Sequence, residues 1–326
     1  MRAIVITKPG GPEVLQIQEV ADPVAGDQEI LIAVKAFGVN HAETHMRKGE
    51  WPEATPVSGI EAVGTVAADP SGVLAVGTKV LTIMGGLGRN RNGSYAEYTL
   101  AQAANVARIE TSLDWTDLAA IPESYATAWL TLRDNLELAA GQSLLVRGAT
   151  SALGQAAVNI ASDLGARVIA TTRRHDRAAL LRSLGAQDVV LETGNVAGQV
   201  RELVPAGVDR VLDLIGNTVL RDSLQAARVR GRVCQAGFLG GLGPVADFLP
   251  AFDMPSGVQF SFFGSFEVGT EGYPISAIPF QDIVAKAEAG IYQAKPARVF
   301  AFEEIAEAHR IMEAGQAGGK LVVSGA

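Results

Sequence analysis

Short apolar runs separated by polar turn residues fill the first third of the chain. They are rich in β-branched side chains and cover residues 30–37, 61–67, 76–83 and 94–100. Glycine, proline and aspartate between the runs are typical of the tight turns in a partly closed barrel or sandwich. We therefore predict that residues 1–118 are β-rich, with the glycine-rich residues 85–93 forming an exposed, mobile loop.

From about residue 119 the pattern changes, because short apolar runs begin to alternate with segments of helical spacing. A first helix is predicted over residues 127–138. Strands are then predicted over residues 143–146, 167–170, 188–191, 210–214 and 232–236, and helices over residues 152–164, 176–184, 196–204 and 220–229. Alternation of this kind builds a parallel sheet with right-handed crossovers, which is the doubly wound fold.

The C-terminal part of the chain returns to mixed structure, with helices predicted over residues 278–289 and 303–314 and a final strand over residues 319–323. The simplest organisation inserts one domain into another. We therefore predict an α/β fold in which residues 1–120 and 266–326 form a β-rich domain. Residues 121–265 form a doubly wound, parallel-sheet domain that suits a cofactor.

Residues 143–157 combine a short apolar run, a turn of small residues and an Ala-rich segment of helical spacing. This order is typical of a strand, a phosphate-binding turn and a helix N-terminus, whose free N–H groups favour a pyrophosphate. The strict G-x-G-x-x-G fingerprint is absent, and such turns also arise for packing reasons alone. The α/β alternation that follows favours dinucleotide binding, with candidate contacts from Gly148, Ala149, Thr150, Ser151, Ala152, Leu153 and Gly154.

The second strand of this domain runs into Thr171, Thr172, Arg173 and Arg174. A site that prefers NAD usually has an acidic residue here, which accepts a hydrogen bond from the ribose 2′-OH. Two arginines without a carboxylate suit a 2′-phosphate instead, through charge-assisted hydrogen bonds. The sequence therefore predicts NADPH (NADP) rather than NADH, with a solvated surface loop as the alternative explanation of the arginines.

Charge and composition narrow the class of protein. The 326 residues include 27 Lys+Arg and 35 Asp+Glu, a formal net charge of −8, and no long basic cluster. Nucleic acid and an anionic membrane are therefore unfavourable partners. No apolar run approaches the roughly 18 residues of a membrane span, and the first residues indicate a strand rather than a signal peptide. We expect a cytoplasmic protein.

Cys234 is the only cysteine, which excludes an intrachain disulfide and a Cys-rich zinc site. Its place in a predicted strand indicates a buried, inert thiol. His41 and His45 have the i, i+4 spacing of two metal ligands on a helix, but no matching third ligand is visible. No metal site is predicted.

Several ordered motifs resemble the medium-chain dehydrogenase/reductase superfamily, in particular its zinc-free quinone oxidoreductases. Members have an Asn-x-x-Asp segment followed by an arginine four residues beyond the acid, where this chain has Asn40, Glu43 and Arg47. Further matches are GSYAEY at 93–98, ATA at 126–128, DLIG at 213–216, GRVCQAG at 231–237, and His309 through Gly319 and Lys320. The resemblance covers essentially the whole chain and implies a GroES-like catalytic domain joined to a Rossmann cofactor domain.

The resemblance also implies roles for individual residues in the catalytic domain. Asn40, Glu43 and Arg47 would line the substrate cleft, with a structural salt bridge as the alternative for Arg47. His45 stands where members often have tyrosine, so proton delivery or substrate choice would differ. Tyr125 is a candidate proton donor, with packing as the alternative. Glu61 is expected to be structural, tying strands together near the cleft.

On the cofactor side, the resemblance implies that Thr127 lies beside the nicotinamide and that Gly216 belongs to the cofactor site. Gly237 would let the nicotinamide ring approach the backbone. Lys320 matches a lysine of the family and is assigned either to the cofactor phosphates or to a domain contact.

The resulting hypothesis is an NADPH-dependent, zinc-free reductase that transfers hydride to a quinone or an activated enone. An enone or enoyl-thioester reductase of the same fold is the nearest alternative, because fold does not determine substrate. A non-catalytic NADPH-binding protein is the alternative from another class. Relatives are often homodimers in which a strand near residues 258–266 pairs across subunits, and the apolar residues 260–263 are compatible with either that or an interior strand.

Overall fold

Two units with different sheet architecture make up the chain. The computed structural model describes residues 1–51 and 53–325. One unit comprises Met1–Ala126 and Phe266–Ala326, and the other comprises Thr127–Ser265. Among the described residues, no helix is both long enough and apolar enough to cross a membrane.

The strands and helices follow in chain order. The strands are β1 Arg2–Ile6, β2 Leu15–Glu19, β3 Glu29–Val39, β4 Glu61–Ala68, β5 Lys79–Ile83, β6 Tyr98–Gln102, β7 Val106–Arg108, β8 Ser143–Arg147, β9 Arg167–Thr172, β10 Asp188–Leu191, β11 Val208–Asp213, β12 Ala227–Gln235, β13 Gln259–Phe262, β14 Arg298–Phe300 and β15 Leu321–Ser324. The helices are α1 His41–Lys48, α2 Trp115–Ala119, α3 Pro122–Leu130, α4 Ala152–Asp163, α5 Ala178–Ser183, α6 Val196–Leu203, α7 Leu220–Ala226, α8 Pro250–Asp253, α9 Phe280–Glu288 and α10 Ile305–Glu313.

The first unit is built on β3, whose alternation of buried and half-buried residues gives the sheet one core face. Its seven-stranded sheet has the order β14-β15-β3-β4-β5-β7, and β6 pairs separately with β3. The strands β1 and β2 form their own antiparallel pair. The main core of this unit includes Ile4, Phe37, Tyr95, Phe302 and Leu321. The predicted β-rich character of this part of the chain is confirmed.

The second unit contains a six-stranded sheet in the order β10-β9-β8-β11-β12-β13, in which every neighbouring pair is parallel. This is the strand order 3-2-1-4-5-6 of the Rossmann fold, which confirms the predicted doubly wound sheet. All five residues of β8 are buried, as expected for a strand covered by helices on both faces. The sixth strand, Gln259–Phe262, lies at one edge.

The glycine-rich residues 85–93 do not form the exposed loop that was predicted. Leu87, Gly88 and Gly93 are buried, and the segment is held by its own backbone hydrogen bonds, including Gly88 N–H to the Arg91 carbonyl at 2.9 Å. A Cβ at Gly93 would lie only 2.2 Å from the carbonyl oxygen of Gly59. The glycine therefore allows close packing of two backbones, which explains why the predicted exposure was wrong.

The helix predicted over residues 127–138 is also placed differently. Helix α3 begins at Pro122, a residue suited to the first turn of a helix because it has no N–H to satisfy. It is followed by a π-helical turn over Thr131–Asn135. The other predicted helices and strands overlap those of the structure, with ends that differ by up to five residues. For example, the strand predicted from residue 232 begins at Ala227, which shortens the helix predicted over residues 220–229.

Candidate functional site

The turn after β8 has the features of a phosphate-binding turn. Gly148 has a φ of +74°, a left-handed conformation that favours glycine. Ser151 is the N-cap of α4, and its hydroxyl accepts the Gly154 N–H at 3.1 Å and donates to the Gly148 carbonyl at 2.8 Å. The cap satisfies the Gly154 N–H, whereas the N–H groups of Ala152 and Leu153 before it lie at the positive end of the helix dipole, where an anion can bind.

Gly154 is required by the closeness of the helix to the turn. A Cβ there would lie 2.5 Å from the Gly148 carbonyl oxygen and 2.6 Å from the Ala149 Cα. Ala149 and Gly154 are buried, and Thr150, Ser151, Ala152 and Leu153 are half-buried. A backbone cradle of small residues at a helix N-terminus fits the pyrophosphate of a dinucleotide.

A second turn lies beside the first, because β8 and β11 are neighbours with Arg147 opposite Asp213. The Asp213 carboxylate accepts the N–H groups of Ile215 at 2.9 Å and Gly216 at 2.8 Å, which closes this turn. Burial raises the pKa of Asp213. Strand order reverses between β8 and β11, and ligands of doubly wound folds bind at such a switch point.

Gly216 and Gly237 lie close together at the carboxyl ends of the strands. Close packing, rather than contact with a ligand, explains why both positions are glycine. A Cβ at Gly216, which has a φ of +83°, would meet the Gly237 carbonyl oxygen at 2.6 Å. A Cβ at Gly237 would meet the Leu214 carbonyl oxygen at 2.5 Å. The contact of Gly237 with a nicotinamide ring stays a prediction, since the neighbouring strand already requires glycine there.

The hydroxyls of Thr171 and Thr172 are both engaged within the protein. The Thr171 hydroxyl accepts the Gly148 N–H at 3.2 Å and donates to Glu192 at 2.7 Å, and its side chain has no exposed surface. The Thr172 hydroxyl accepts the Arg174 N–H at 3.1 Å. The predicted direct contact of Thr171 with the cofactor is therefore replaced by a contact with the turn itself.

Arg173 and Arg174 lie in the loop after β9, and both are exposed. The Arg174 guanidinium pairs with Asp176, donating from Nε to Oδ1 at 3.0 Å. This pair is on the surface, where ion pairs contribute little to stability. Both arginines are therefore free to rearrange toward an anionic ligand at low cost.

Arg147 and Glu192 were missed by the sequence-based prediction. Arg147, the last residue of β8, has no exposed surface and donates to Glu192 from Nε at 3.1 Å and from Nη2 at 2.5 Å. It also donates to Asp222 at 2.7 Å and to the Ser223 hydroxyl at 3.1 Å. An arginine directly before the glycine turn is the one signal in the sequence that could have indicated this cluster.

The first unit contains a separate buried cluster of Asn40, Glu43, Glu61 and Lys320. Lys320 Nζ donates to the Asn40 side-chain oxygen at 2.6 Å and to Glu61. The other oxygen of Glu61 accepts the Glu123 N–H at 2.7 Å, in the first turn of α3. Burial, the largest single effect, opposes the charged form of Lys320, but the surrounding acidic side chains, Glu61 foremost, together outweigh it and the pKa of Lys320 is raised.

The contacts of Lys320 do not support the cofactor-phosphate role that was one of its two predicted roles, and that role stays a prediction. Only 4% of the residue is exposed, and its ammonium binds within the first unit. Gly38 makes room for the pair, because a Cβ there would lie 2.2 Å from a Glu61 oxygen and 2.4 Å from Lys320 Cε. The structural role expected for Glu61 is what the contacts describe.

Asn40 has no donor left for a substrate. Its side-chain NH₂ donates to Glu61 at 2.9 Å and faces Glu43 at 3.4 Å, while its oxygen accepts from Lys320. The reverse orientation of the amide would place donor against donor and oxygen against carboxylate, so the chemistry of the neighbours determines the orientation. Direct polarisation of a substrate carbonyl by this amide is not supported.

Glu43 has no exposed surface, and its carboxylate accepts the Ile60 N–H at 3.1 Å and the Asn40 N–H. Burial, together with the nearby charge of Glu61, raises the pKa of Glu43 to about 8. The side chain is therefore protonated at neutral pH. It holds a proton inside the unit but does not face solvent.

Arg47 is likewise buried, and its guanidinium forms an ion pair with Glu313. This is the salt bridge that the sequence left open as the alternative to a catalytic role. With no exposed surface, Arg47 cannot touch a substrate in this conformation. Burial, reinforced by the charge of Arg47, lowers the pKa of His309 to about 3, and His309 Nε2 lies 3.1 Å from the Tyr95 hydroxyl.

The remaining candidates make other contacts. His45 is half-buried, with its Nδ1 against Glu50 and its ring stacked on Trp51 at 5.9 Å. Tyr125 is 3% exposed and stacks on Tyr292 at 5.5 Å, which agrees with the packing alternative. Thr127 is buried in α3, and its carbonyl accepts the Thr131 hydroxyl at 2.8 Å. Their catalytic or cofactor roles stay predictions.

Comparison with known proteins identifies the chain. Residues 26–111 match the family described as "Alcohol dehydrogenase GroES-like domain", and residues 152–280 match "Zinc-binding dehydrogenase". The quinone oxidoreductase of Sus scrofa is 30% identical over 336 residues, covering 99% of this chain and 97% of its own. Despite the second family's description, no three His, Cys, Asp or Glu side chains converge as metal ligands in residues 1–51 and 53–325.

Solved structures agree with this assignment. A mycobacterial protein complexed with NADPH is 27% identical, with a TM-score of 0.88 and coverage of 99% of this chain and 100% of that one. An NAD-dependent alcohol dehydrogenase is 30% identical, with a TM-score of 0.84 and 99% coverage of both chains. The chain therefore belongs to the medium-chain dehydrogenase/reductase superfamily, as a quinone oxidoreductase-like oxidoreductase that uses a nicotinamide cofactor.

Proposed function

We propose that the protein is an NADPH-dependent reductase that transfers hydride, without a metal ion, to a quinone or an activated enone. The observation that carries the proposal is the turn after β8 at the switch point of a Rossmann sheet, followed on β9 by a cationic loop. The name of the Sus scrofa relative supports a quinone as the acceptor. The NADPH bound to the mycobacterial neighbour supports the choice of cofactor.

The second unit would bind the dinucleotide mainly through backbone N–H groups of the protein. The free amides at the start of α4, near Ala152 and Leu153, would bind the pyrophosphate. Arg173 and Arg174 would bind a 2′-phosphate. When bound, NADPH supplies the hydride and thus the chemical reactivity of the site. The protein contributes position and electrostatics.

Protonation of the reduced product is assigned to solvent. Asn40 has both donors occupied, and Glu43, although protonated at neutral pH, has no exposed surface. A quinone that has accepted the hydride needs one proton to become the hydroquinone, and water can supply that proton without a dedicated acid. The protein would therefore act by orientation rather than by general acid catalysis.

Independence from metal is supported by the ligands available. The only cysteine, Cys234, is buried in β12, and burial raises the pKa of its thiol to about 12. A zinc-binding cysteine must be a thiolate. Zinc analysis of the purified protein should find well below one equivalent, and a stoichiometric amount retained after dialysis would contradict this part of the proposal.

Loss of NADPH absorbance would test the reaction, with 1,4-benzoquinone, 9,10-phenanthrenequinone and a 2-alkenal as acceptors. Faster oxidation with the quinones is expected. Preference for the alkenal would favour an enone or enoyl-thioester reductase instead. Tight binding of NADPH with no oxidation by any acceptor would indicate a non-catalytic binding protein.

The double substitution Arg173→Ala/Arg174→Ala is expected to weaken NADPH binding by one to two orders of magnitude and NADH binding by less than about twofold. A charge-assisted contact contributes roughly 1.5–3 kcal/mol, which corresponds to this change in Kd. Titration by cofactor fluorescence would measure both constants. Arg182→Ala, which removes another exposed arginine of the same unit, is the control. Equal losses of affinity for NADPH and NADH would contradict the proposed contact of these arginines with the 2′-phosphate.

We also propose a homodimer formed through β13, the edge strand of the second unit's sheet. Phe260 and Phe262 lie on the same face of this strand and are 41% and 49% exposed. An exposed apolar edge strand invites pairing with a second copy. Light scattering should give about twice the 34.0 kDa of one chain, and Phe262→Lys should yield the monomer. Val24→Lys, at an exposed position of the other unit, is the control.

A further inference from the structure

We propose that Arg147 is a positioning residue that couples the two turns of the nucleotide-binding unit. It does so through a buried chain of hydrogen bonds, here called the turn relay. The inference rests on the proposed binding of a nicotinamide dinucleotide at these turns. The turn relay consists of Thr171, Glu192, Arg147, Ser223 and Asp213.

The first half of the turn relay leads from the Gly148 turn to Arg147. The Gly148 N–H donates to the Thr171 hydroxyl at 3.2 Å, and that hydroxyl donates to Glu192 at 2.7 Å. Both oxygens of Glu192 accept from Arg147, at 3.1 Å and 2.5 Å. The amide that opens the first turn is thereby connected to a buried guanidinium.

The second half leads from Arg147 to the Gly216 turn. Arg147 Nη1 donates to the Ser223 hydroxyl at 3.1 Å, and that hydroxyl donates to Asp213 at 2.6 Å. Asp213 in turn accepts the Gly216 N–H at 2.8 Å. Each hydroxyl accepts one hydrogen bond and donates one. Because a guanidinium only donates and a carboxylate only accepts, the direction of every bond is determined.

The turn relay lies behind the proposed cofactor site, not in it. Arg147, Thr171, Asp213 and Ser223 have no exposed surface, and only 9% of the Glu192 side chain is exposed. These side chains therefore act on the cofactor by holding backbone amides in place. The turns that contain these amides flank the proposed pyrophosphate site, and NADPH and NADH share the pyrophosphate, so the turn relay should affect both cofactors equally.

Thr171→Val tests the turn relay with a nearly isosteric change. It removes the acceptor of the Gly148 N–H, so the Kd values of NADPH and NADH should both rise about tenfold, as the loss of one buried hydrogen bond implies. Thr171→Ser keeps the hydroxyl and should restore both values to within about twofold of the wild type. Cofactor fluorescence gives the Kd values, and urea unfolding of the same samples gives stability.

Ser143→Ala is a matched control at the opposite end of the same sheet. The Ser143 hydroxyl also accepts a backbone N–H, that of Asp209 at 3.0 Å, and donates to a carboxylate, Asp209 at 2.8 Å. The Ser143→Ala substitution should lower stability about as much as Thr171→Val and leave both Kd values unchanged. Arg147→Lys keeps the charge but cannot bridge both halves of the turn relay. It should weaken the binding of both cofactors about as much as Thr171→Val.

The outcomes separate this inference from the proposed function. Unchanged Kd values in Thr171→Val, or equal losses in Ser143→Ala, would overturn the turn relay while leaving the reductase proposal intact. A loss of affinity for NADPH alone in Thr171→Val would also overturn the turn relay, because the pyrophosphate is common to both cofactors. A wild-type protein that binds neither dinucleotide would overturn the proposed function, and the inference with it.

Discussion

Lys320→Met is expected to lower the free energy of unfolding by about 3–5 kcal/mol, the usual cost of removing one partner from a buried ion pair. Glu61 has no exposed surface, and Lys320 is its counter-ion. Without Lys320, Glu61 would be a buried carboxylate with no counter-ion beside the protonated Glu43, and the oxygen of Asn40 would lose its donor. The charge of Glu61 would then be unpaired at a site with almost no exposed surface.

The double variant Glu61→Gln/Lys320→Met separates this charge effect from simple loss of packing. Glutamine can still accept the Glu123 N–H, and a neutral pair avoids the unpaired charge, so the double variant should lose less stability than Lys320→Met alone. Lys295→Met, at an 85% exposed lysine of the same unit, should change stability by less than about 0.5 kcal/mol. Urea unfolding measures all three. A cost below about 1 kcal/mol for Lys320→Met would contradict the importance of the pair.

The pairing of Lys320 with Asn40 could not be predicted from sequence spacing, since the two residues are 280 positions apart. They meet because β15 pairs antiparallel with β3, which places Leu321 opposite Val39. The resemblance to a family indicated that Lys320 matters but not what it touches. Such contacts depend on which distant strands pair, and periodicity along the chain does not identify the partner of a strand.

The doubly wound sheet was predictable because its signal is local and repeated. Each strand of this sheet is a short apolar run and each crossover an amphipathic helix, so every unit of the pattern adds support. The glycine-rich residues 85–93 were misjudged for the opposite reason. Glycine permits both a mobile loop and close packing, and only the position of Gly59 beside Gly93 decides between them.

In the candidate site, too, local features were predictable from the sequence and long-range contacts were not. The Gly148 turn and its helix follow from small residues in consecutive positions. The turn relay depends on Glu192 and Ser223, which approach Arg147 from 45 and 76 positions away along the chain. A buried arginine also contradicts the usual expectation that charged residues are exposed. Sequence patterns therefore located the site, whereas the groups that hold it in shape required the structure.

Glu43→Gln is expected to remove one contribution to the stability of the wild type, a contribution that becomes less favourable as the pH rises from 4.5 to 8. In the folded state the pKa of Glu43 is about 8, compared with 4.5 for an ordinary glutamate. Between these values the folded state keeps a proton that the unfolded state has released, so stability falls with increasing pH. The full difference of the two pKa values corresponds to about 4–5 kcal/mol.

His309 has the opposite effect on the dependence of stability on pH. Its pKa is about 3 in the folded state, compared with 6.5 for an ordinary histidine, so stability is lost as the pH falls from 6.5 toward 3. Between pH 4.5 and 6.5 the two effects cancel, because the folded state holds the proton on Glu43 while the unfolded state holds one on histidine. Above pH 6.5 only the Glu43 effect remains, with a slope of about −1.4 kcal/mol per pH unit.

Urea unfolding at pH 4, 5.5, 6.5 and 8 would resolve the two effects. The stability of Glu43→Gln relative to the wild type should increase from pH 6.5 to 8, and that of His309→Gln should increase from pH 5.5 to 4. Comparing each variant with the wild type at the same pH cancels the titration of all other groups. A difference between Glu43→Gln and the wild type that is equal at pH 6.5 and 8 would show that Glu43 is ionised in the folded protein. The buried cluster would then carry two negative charges against one lysine, and Lys320→Met would cost still more.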